Sequence, residues 1–303
     1  MTQPDPTAQD RLLAHLSVLT GERHPVTSPA RLQRAEAYLA ETFERLGLHV
    51  STHPFEAMGS TYRNVVATLL PTHQTQGRGH GTPAAPLILA AHYDTVEGSP
   101  GADDNASALS VLLETARRLR SADRTREIHC IGFCLEEEGL LGSLAYAEEL
   151  RAAGRDIVGA LVLECVGFAS DNDGSQTAPA GLPLTVPTIG NFLAIVGNAA
   201  SAALTAAVAR AAEPHVPVVP LVIPGSGESL PDTRRSDHAA FWHYGFPSVM
   251  LTDTANFRNP NYHRPTDTLD TLSLKFLARV ADAVTAAAVH LAGGVSMYNG
   301  RDS

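Results

Sequence analysis

From residue 87 onward, short unbroken apolar runs alternate with longer stretches that are apolar on one side only. The runs at 87–93, 126–135, 156–166, 191–197, 216–224 and 246–253 have the length and composition of strands buried on both faces. Between them, residues 106–120 carry Leu109, Leu112, Leu113, Ala116 and Leu119 at helical spacing, and residues 142–154, 198–212 and 236–245 also read as helices. A last helix is expected over about 274–291, with Leu277, Val280, Val284, Ala287 and Leu291 on one face. The prolines within 216–224 make that strand an edge strand or an irregular one.

The first 86 residues have a different rhythm. A helix is expected over 8–19, with Leu12, Leu13, Leu16 and Leu19 on one side. A second starts at Ser28, an N-cap residue type, with Pro29 in the first helical position, and stops at Gly47. Strands at 48–55 and 62–70 follow, then a Gly-, Pro-, Thr- and Gln-rich surface loop at 71–86. The GRGHG inside that loop is no dinucleotide-binding turn, because it follows no buried strand of a βαβ unit and opens no helix. Strands alternating with helices require a sheet covered on both faces. The expected fold is therefore α/β, a single-domain α/β/α sandwich with a mixed central sheet and helices on both faces. No internal repeat or linker divides residues 1–303.

Composition narrows the function. Lys plus Arg number 22 against 32 Asp plus Glu, a net charge of −10, which disfavours nucleic acid and anionic membranes as partners. No apolar stretch reaches the roughly 18 residues that span a bilayer. The polar N-terminus lacks the pattern of a secretory signal, so a cytoplasmic location is expected. Three cysteines, Cys130, Cys134 and Cys165, are too few for a disulfide framework. Cys130 and Cys134 share one side of a strand and could ligate a metal or pair, but read more simply as small buried apolar residues.

The chemistry gathers at strand ends, where ligand sites form in sheets of this kind. His92 and Asp94 end the first buried strand, Glu136 and Glu137 the second, and Glu164 the third. Buried carboxylates are costly unless paired or bound to a metal, so such a cluster calls for a cation. His92 with Asp94 reads as a ligand and the carboxylate that supports it. Asp103 and Asp104 could each cap the helix that follows them, or one could bridge two metals. Glu136, Glu137 and Glu138 could be a solvated charge run, or adjacent carboxylates that divide metal binding and proton transfer. His263 stands in a loop. There is no GxSxG elbow and no HExxH helix, and Ser236, Asp237 and His238 are adjacent and cannot converge as a triad.

Together these segments resemble the co-catalytic zinc exopeptidase family typified by bacterial leucyl aminopeptidases and aminopeptidase Y. The motifs are HxD at 92–94, PGADDN at 100–105, EEEGLLGS at 136–143, a strand ending in Glu164, SDHAAFW at 236–242, and YH at 262–263 with TDTLDTLS at 266–273. The likeness runs from about residue 25 to 292 and implies a zinc-exopeptidase, phosphorylase/hydrolase-like fold. It implies two Zn2+, with Co2+ or Mn2+ as possible substitutes. Asp104 would bridge them, His92 and Glu164 would complete one metal, and Glu137 and His263 the other. Glu136 would be the general base and Asp94 would orient His92. Two departures stand out: many relatives have Asp where this chain has Glu164, and a Tyr where it reads Asp232, Thr233, Arg234 and Arg235.

The activity implied is hydrolysis of the N-terminal peptide bond of a peptide with a free N-terminus. Glutaminyl-peptide cyclisation and carboxypeptidase action are the alternatives on the same fold, and a non-catalytic binding domain, like the transferrin receptor ectodomain, is the remote one. The substrate pocket is expected between the loops around 167–190, 224–235 and 253–262.

Overall fold

The computed structural model describes residues 7–72, 84–182 and 185–293. The first elements are helices α1 (Ala8–Leu19) and α2 (Pro29–Arg45), then strands β1 (His49–Ala57) and β2 (Ser60–Leu69). Next come β3 (Leu87–His92), α3 (Ala108–Leu119), β4 (Ile128–Phe133), α4 (Leu141–Ala152) and β5 (Gly159–Glu164). The chain continues through β6 (Leu193–Asn198), α5 (Ala202–Ala212), β7 (Val218–Ile223), α6 (His238–His243), β8 (Ser248–Thr252) and α7 (Leu274–Leu291). The loop expected at 71–86, with its GRGHG, lies largely outside the described residues.

The eight strands form one sheet in the order β1-β2-β4-β3-β5-β8-β6-β7. β4, β3, β5 and β8 run parallel, β1–β2, β2–β4 and β6–β8 pair antiparallel, and the Pro220-containing β7 lies at the edge, bonded to β6 alone. The sheet is thus mixed, as expected.

Alternate residues of each central strand face opposite layers, as the period of two requires. Leu87, Leu89, Ala91, Leu161, Leu163 and Leu251 pack with helices α1, α2, α3, α5 and α7. Ile88, Ala90, Ile131, Phe133, Ala160 and Val162 pack with α4 and α6. This two-sided burial is why these strands read as unbroken apolar runs. Cys130 and Cys134 are buried free thiols on the first face, where Leu12, Leu16 and Leu19 of α1 are buried too. Among the described residues, no helix is long and apolar enough to cross a membrane.

One local expectation needs correction. β4 ends at Phe133, two residues before the apolar run does, because Leu135 adopts a left-handed φ of 61° and turns the chain. Glu136 and Glu137 therefore sit on a turn beyond the strand. Ser28 is the N-cap residue of α2 and Pro29 its first residue, as expected, although the Ser28 side chain makes no capping hydrogen bond.

Candidate metal centre

Three parallel neighbours, β4, β3 and β5, deliver their carboxyl ends to one place. His92 is the last residue of β3 and Glu164 the last of β5, and both are buried. The turn after β4 brings in Glu136 and Glu137, and a kinked turn over residues 102–107 brings in Asp104 ahead of α3. His263 arrives from the loop between β8 and α7 and is the most exposed of the six, at 33% of its side chain.

The contacts form two halves joined at Asp104. In one, His92 Nε2 lies 3.2 Å from Asp104 Oδ1 and 3.3 Å from Glu164 Oε2. In the other, His263 Nε2 lies 3.0 Å from Asp104 Oδ2 and 3.3 Å from Glu137 Oε2. Glu136 stands further off, its Oε2 at 3.8 Å from His92 Nε2. The groups His92–Asp104–Glu137, His92–Glu136–Glu164 and Asp104–Glu164–Cys165 each present converging donor atoms.

These atoms approach one another without bonding to one another. Both nitrogens of His92, both oxygens of Asp104 and Oε1 of Glu137 are buried and have no hydrogen-bond partner among the described residues. Orphaned buried polar atoms are expensive, and five together are rare in a folded protein. Tetrahedral ligands at zinc distances of about 2.0–2.1 Å would stand about 3.3 Å apart. The closest approaches here, 3.0 to 3.3 Å, fall at that spacing. The donor set and its orphaned atoms fit a borderline divalent cation, and zinc in particular.

Electrostatics tell the same story from the proton side. Burial alone would pull His92 down, but Glu136, Glu164, Asp104 and Asp94 outweigh it and drive the imidazole well above its ordinary range. Burial likewise opposes protonation of His263, yet Asp104 and Glu137 raise it to about 10. Burial pushes Glu136 well above the usual carboxylate range; His92 opposes, while Glu137, Glu164 and Asp237 add to it. Burial and the Asp104 charge lift Glu137 to about 7. Asp104 remains low, because the two imidazoles overcome its desolvation.

Around this centre, side chains fix the backbone. Asp94 Oδ1 lies 3.5 Å from His92 Nδ1, which leaves Nε2 facing the carboxylates. Asp94 also accepts the backbone N–H groups of Glu136 and Glu137, at 3.1 and 3.0 Å, so it fixes the acidic turn while facing the imidazole. That second contact has no signature in sequence. Asp103 serves neither as a helix cap nor beside the imidazoles. It accepts from Gly167 N–H and Asn259 Nδ2, and it stands against Asp253, whose carboxyl is pushed well above its usual range by burial and then by the Asp103 charge.

Asp267 accepts the N–H groups of both Asp103 and Asp104, at 2.9 and 3.1 Å. Ser236 donates to Glu164 Oε2 at 2.8 Å, and Asn105 bridges the backbone on either side of Glu164. Burial, and then the surrounding carboxylates, push the Cys165 thiol well up, and it donates to Glu164 Oε1. Asn64 latches the β4–α4 turn, accepting from Cys134 N–H and donating to Gly142 carbonyl. A Cβ at Gly142 would stand 2.3 Å from the Cys134 carbonyl, so only glycine fits. Glu138 lies outside the cluster and contacts His24 at 3.3 Å.

A cleft opens beside Glu164 and Tyr262. Its walls come from the three expected loops, through residues such as Gln176, Leu182, Thr233, Arg235, Asn256 and Phe257. Its floor, which was not anticipated, is the sheet itself: Ala194, Val196, Val219, Leu221 and Met250. At the mouth, Tyr262 stacks on His263 with ring centroids 3.9 Å apart and accepts from Arg235 Nη2 at 3.2 Å. Arg235 also donates to Asn256 Oδ1 at 2.9 Å.

Comparison with known proteins supports a shared ancestry. The uncharacterized protein YfbL of Escherichia coli K12 is 30% identical over 297 residues, 93% of this chain and 88% of that one. Aminopeptidase YwaD of Bacillus subtilis 168 is 32% identical over 201 residues, 66% of this chain and 40% of its own length. The solved structure of BSAP, a zinc aminopeptidase from Bacillus subtilis, superposes with a TM-score of 0.58 at 26% identity, over 79% of this chain and 52% of that one. The chain thus spans about half the length of the two named aminopeptidases. The model of Peptidase family M28 matches residues 64–288, a span that holds all six residues of the cluster. A match over most of the chain, with a full-length relative beside it, establishes descent: the chain belongs to Peptidase family M28.

Proposed function

We propose that the chain is a zinc aminopeptidase that works with two metal ions. His92, Glu164 and Oδ1 of Asp104 would hold one; His263, Glu137 and Oδ2 of Asp104 would hold the other. The observation that carries the reading is Asp104, whose two buried oxygens face two different imidazoles and accept no hydrogen bond. When bound, the metals supply Lewis-acid polarisation of the scissile carbonyl and an acidified water.

The protein's own groups do the rest. Glu136, at 3.8 Å from the nearest imidazole nitrogen, is the carboxylate left over for proton transfer. It takes a proton from the attacking water and returns one to the leaving amine. Asp94, facing His92 Nδ1, would support the imidazole once a metal draws on Nε2, and it keeps Glu136 and Glu137 in register. The apolar cleft receives the first side chain of the peptide, and the carboxylate of Glu164 on its wall draws the free amino group.

The test is a panel of aminoacyl nitroanilides, their N-acetylated counterparts, carboxypeptidase substrates and an N-terminal glutaminyl peptide, each with and without chelator. Free-amine substrates with apolar first residues should be cleaved, acetylated ones spared, and chelator should abolish turnover. Turnover confined to free-carboxylate substrates, or cyclisation of the glutaminyl peptide alone, would refute the aminopeptidase reading.

Zinc binding should also depend steeply on pH. His263, raised to about 10, and Glu137, raised to about 7, hold protons at neutrality that a cation has to displace. Affinity should therefore rise between about pH 6 and 8, by roughly tenfold per unit for each proton displaced. Competition titrations at three pH values, with proton release followed in weak buffer, read this directly. A flat profile would remove these groups from the ligand set.

A further inference from the structure

Arg23 lies in the loop between α1 and α2 and is only 1% exposed. Among the described residues, its hydrogen-bond partners include no carboxylate. The guanidinium donates instead to five backbone carbonyls: Tyr93 at 2.8 Å, Gly21 at 2.9 Å, Gly101 at 3.1 Å, Pro100 at 3.2 Å, and Leu19. Its backbone N–H donates to Thr95 Oγ1 at 2.8 Å.

The acceptors are placed tellingly. Tyr93 lies between His92 and Asp94, and Pro100 and Gly101 open the turn that carries Asp104. One rigid, planar group therefore ties the end of β3 to the start of the Asp104 turn. The turn closes tightly there: Gly101 has a left-handed φ of 60°, and a Cβ on it would lie 2.3 Å from the Asp104 carbonyl and 2.9 Å from Arg23 Nη2.

A buried cation without an ion-pair partner is costly. Burial pulls Arg23 down to about 10, and the charges of Asp104, Asp94, Asp267 and Glu137 resist this, so it stays protonated at neutral pH. Two roles could justify the cost, and they differ in sign. If Arg23 were only a counter-charge to the acidic cluster, removing it would tighten cation binding. If it sets the spacing of the ligands, removing it would weaken binding.

We propose that Arg23 is a positioning residue of the metal centre: by gathering the Tyr93, Pro100 and Gly101 carbonyls, it fixes His92 relative to Asp104 and so sets the affinity for zinc. This rests on the two-metal reading above. Residues that orient metal ligands change affinity by about 10–100-fold when replaced.

The experiment compares the parent with Arg23→Met and Arg23→Lys. Folding of the metal-free chains is checked by circular dichroism, zinc affinity by chelator competition, and ligand geometry by the visible absorption of the cobalt-loaded forms. The Met variant is expected to fold, to bind zinc at least about tenfold more weakly, and to shift the cobalt spectrum; the Lys variant should recover part of both. Folded variants with parental or tighter affinity overturn the proposal. So does failure of both to fold, which would assign Arg23 to the fold alone. A parent that binds no zinc fails differently, because it refutes the metal reading itself.

Discussion

Glu136→Gln should keep its zinc and lose peptide hydrolysis by about 10²–10⁴ in kcat. The substitution preserves volume and polarity in a side chain that is only 8% exposed. It leaves the backbone N–H that Asp94 accepts, so the acidic turn keeps its register. What disappears is the ability to take up and release a proton. The carboxyl stands 3.8 Å from His92 Nε2, so the substitution leaves untouched the closer groups, at 3.0 to 3.3 Å, that would hold the metals. KM should move little, because the side chain contributes to the transition state and not to ground-state binding. Steady-state kinetics on a free-amine nitroanilide, with zinc counted by atomic absorption, decide the matter. The adjacent Glu137→Gln should show the opposite signature, with metal lost along with activity. Near-parental turnover in Glu136→Gln would remove it as the general base.

Much of this fold was legible because the central strands are buried on both faces, which forces runs such as Leu87-Ile88-Leu89-Ala90. The acids that follow these runs were legible for the complementary reason: a carboxylate directly after a buried strand has nowhere to go without a partner. Contacts from side chain to backbone were not legible. Asp267 reaches the N–H groups of Asp103 and Asp104 from the far end of the chain, and Arg23 binds carbonyls that any residue would offer. Such bonds impose a residue type on one partner and nothing on the other, so no spacing reveals them. The floor of the cleft escaped for a related reason: Val196, Leu221 and Met250 are the same apolar types that fill the core. The early end of β4 depends on a leucine in a left-handed conformation, which runs against its preference.

Asp104→Asn should reduce bound zinc from about two ions per chain to one or none, with affinity weakened by more than the roughly 100-fold reached by supporting residues. Asp104 is 2% exposed, with Oδ1 toward His92 and Oδ2 toward His263. An amide replaces one oxygen by an NH₂ group, a donor that cannot ligate a cation. The side chain would still fit, and the backbone N–H would still reach Asp267, so the turn has no reason to unfold. Thermal unfolding separates loss of metal from loss of structure. Zinc at 100 times its dissociation constant should stabilise the parent by about 2.7 kcal/mol and the variant hardly at all. The control is the next residue. Asp103 accepts two hydrogen bonds and shares its burial with Asp253, so Asp103→Asn should lower the stability of the metal-free chain and leave zinc stoichiometry near two. If Asp103→Asn lost the metal and Asp104→Asn kept it, the bridge would have been assigned to the wrong carboxylate. If neither lost it, the two halves of the cluster would not be joined through this turn at all.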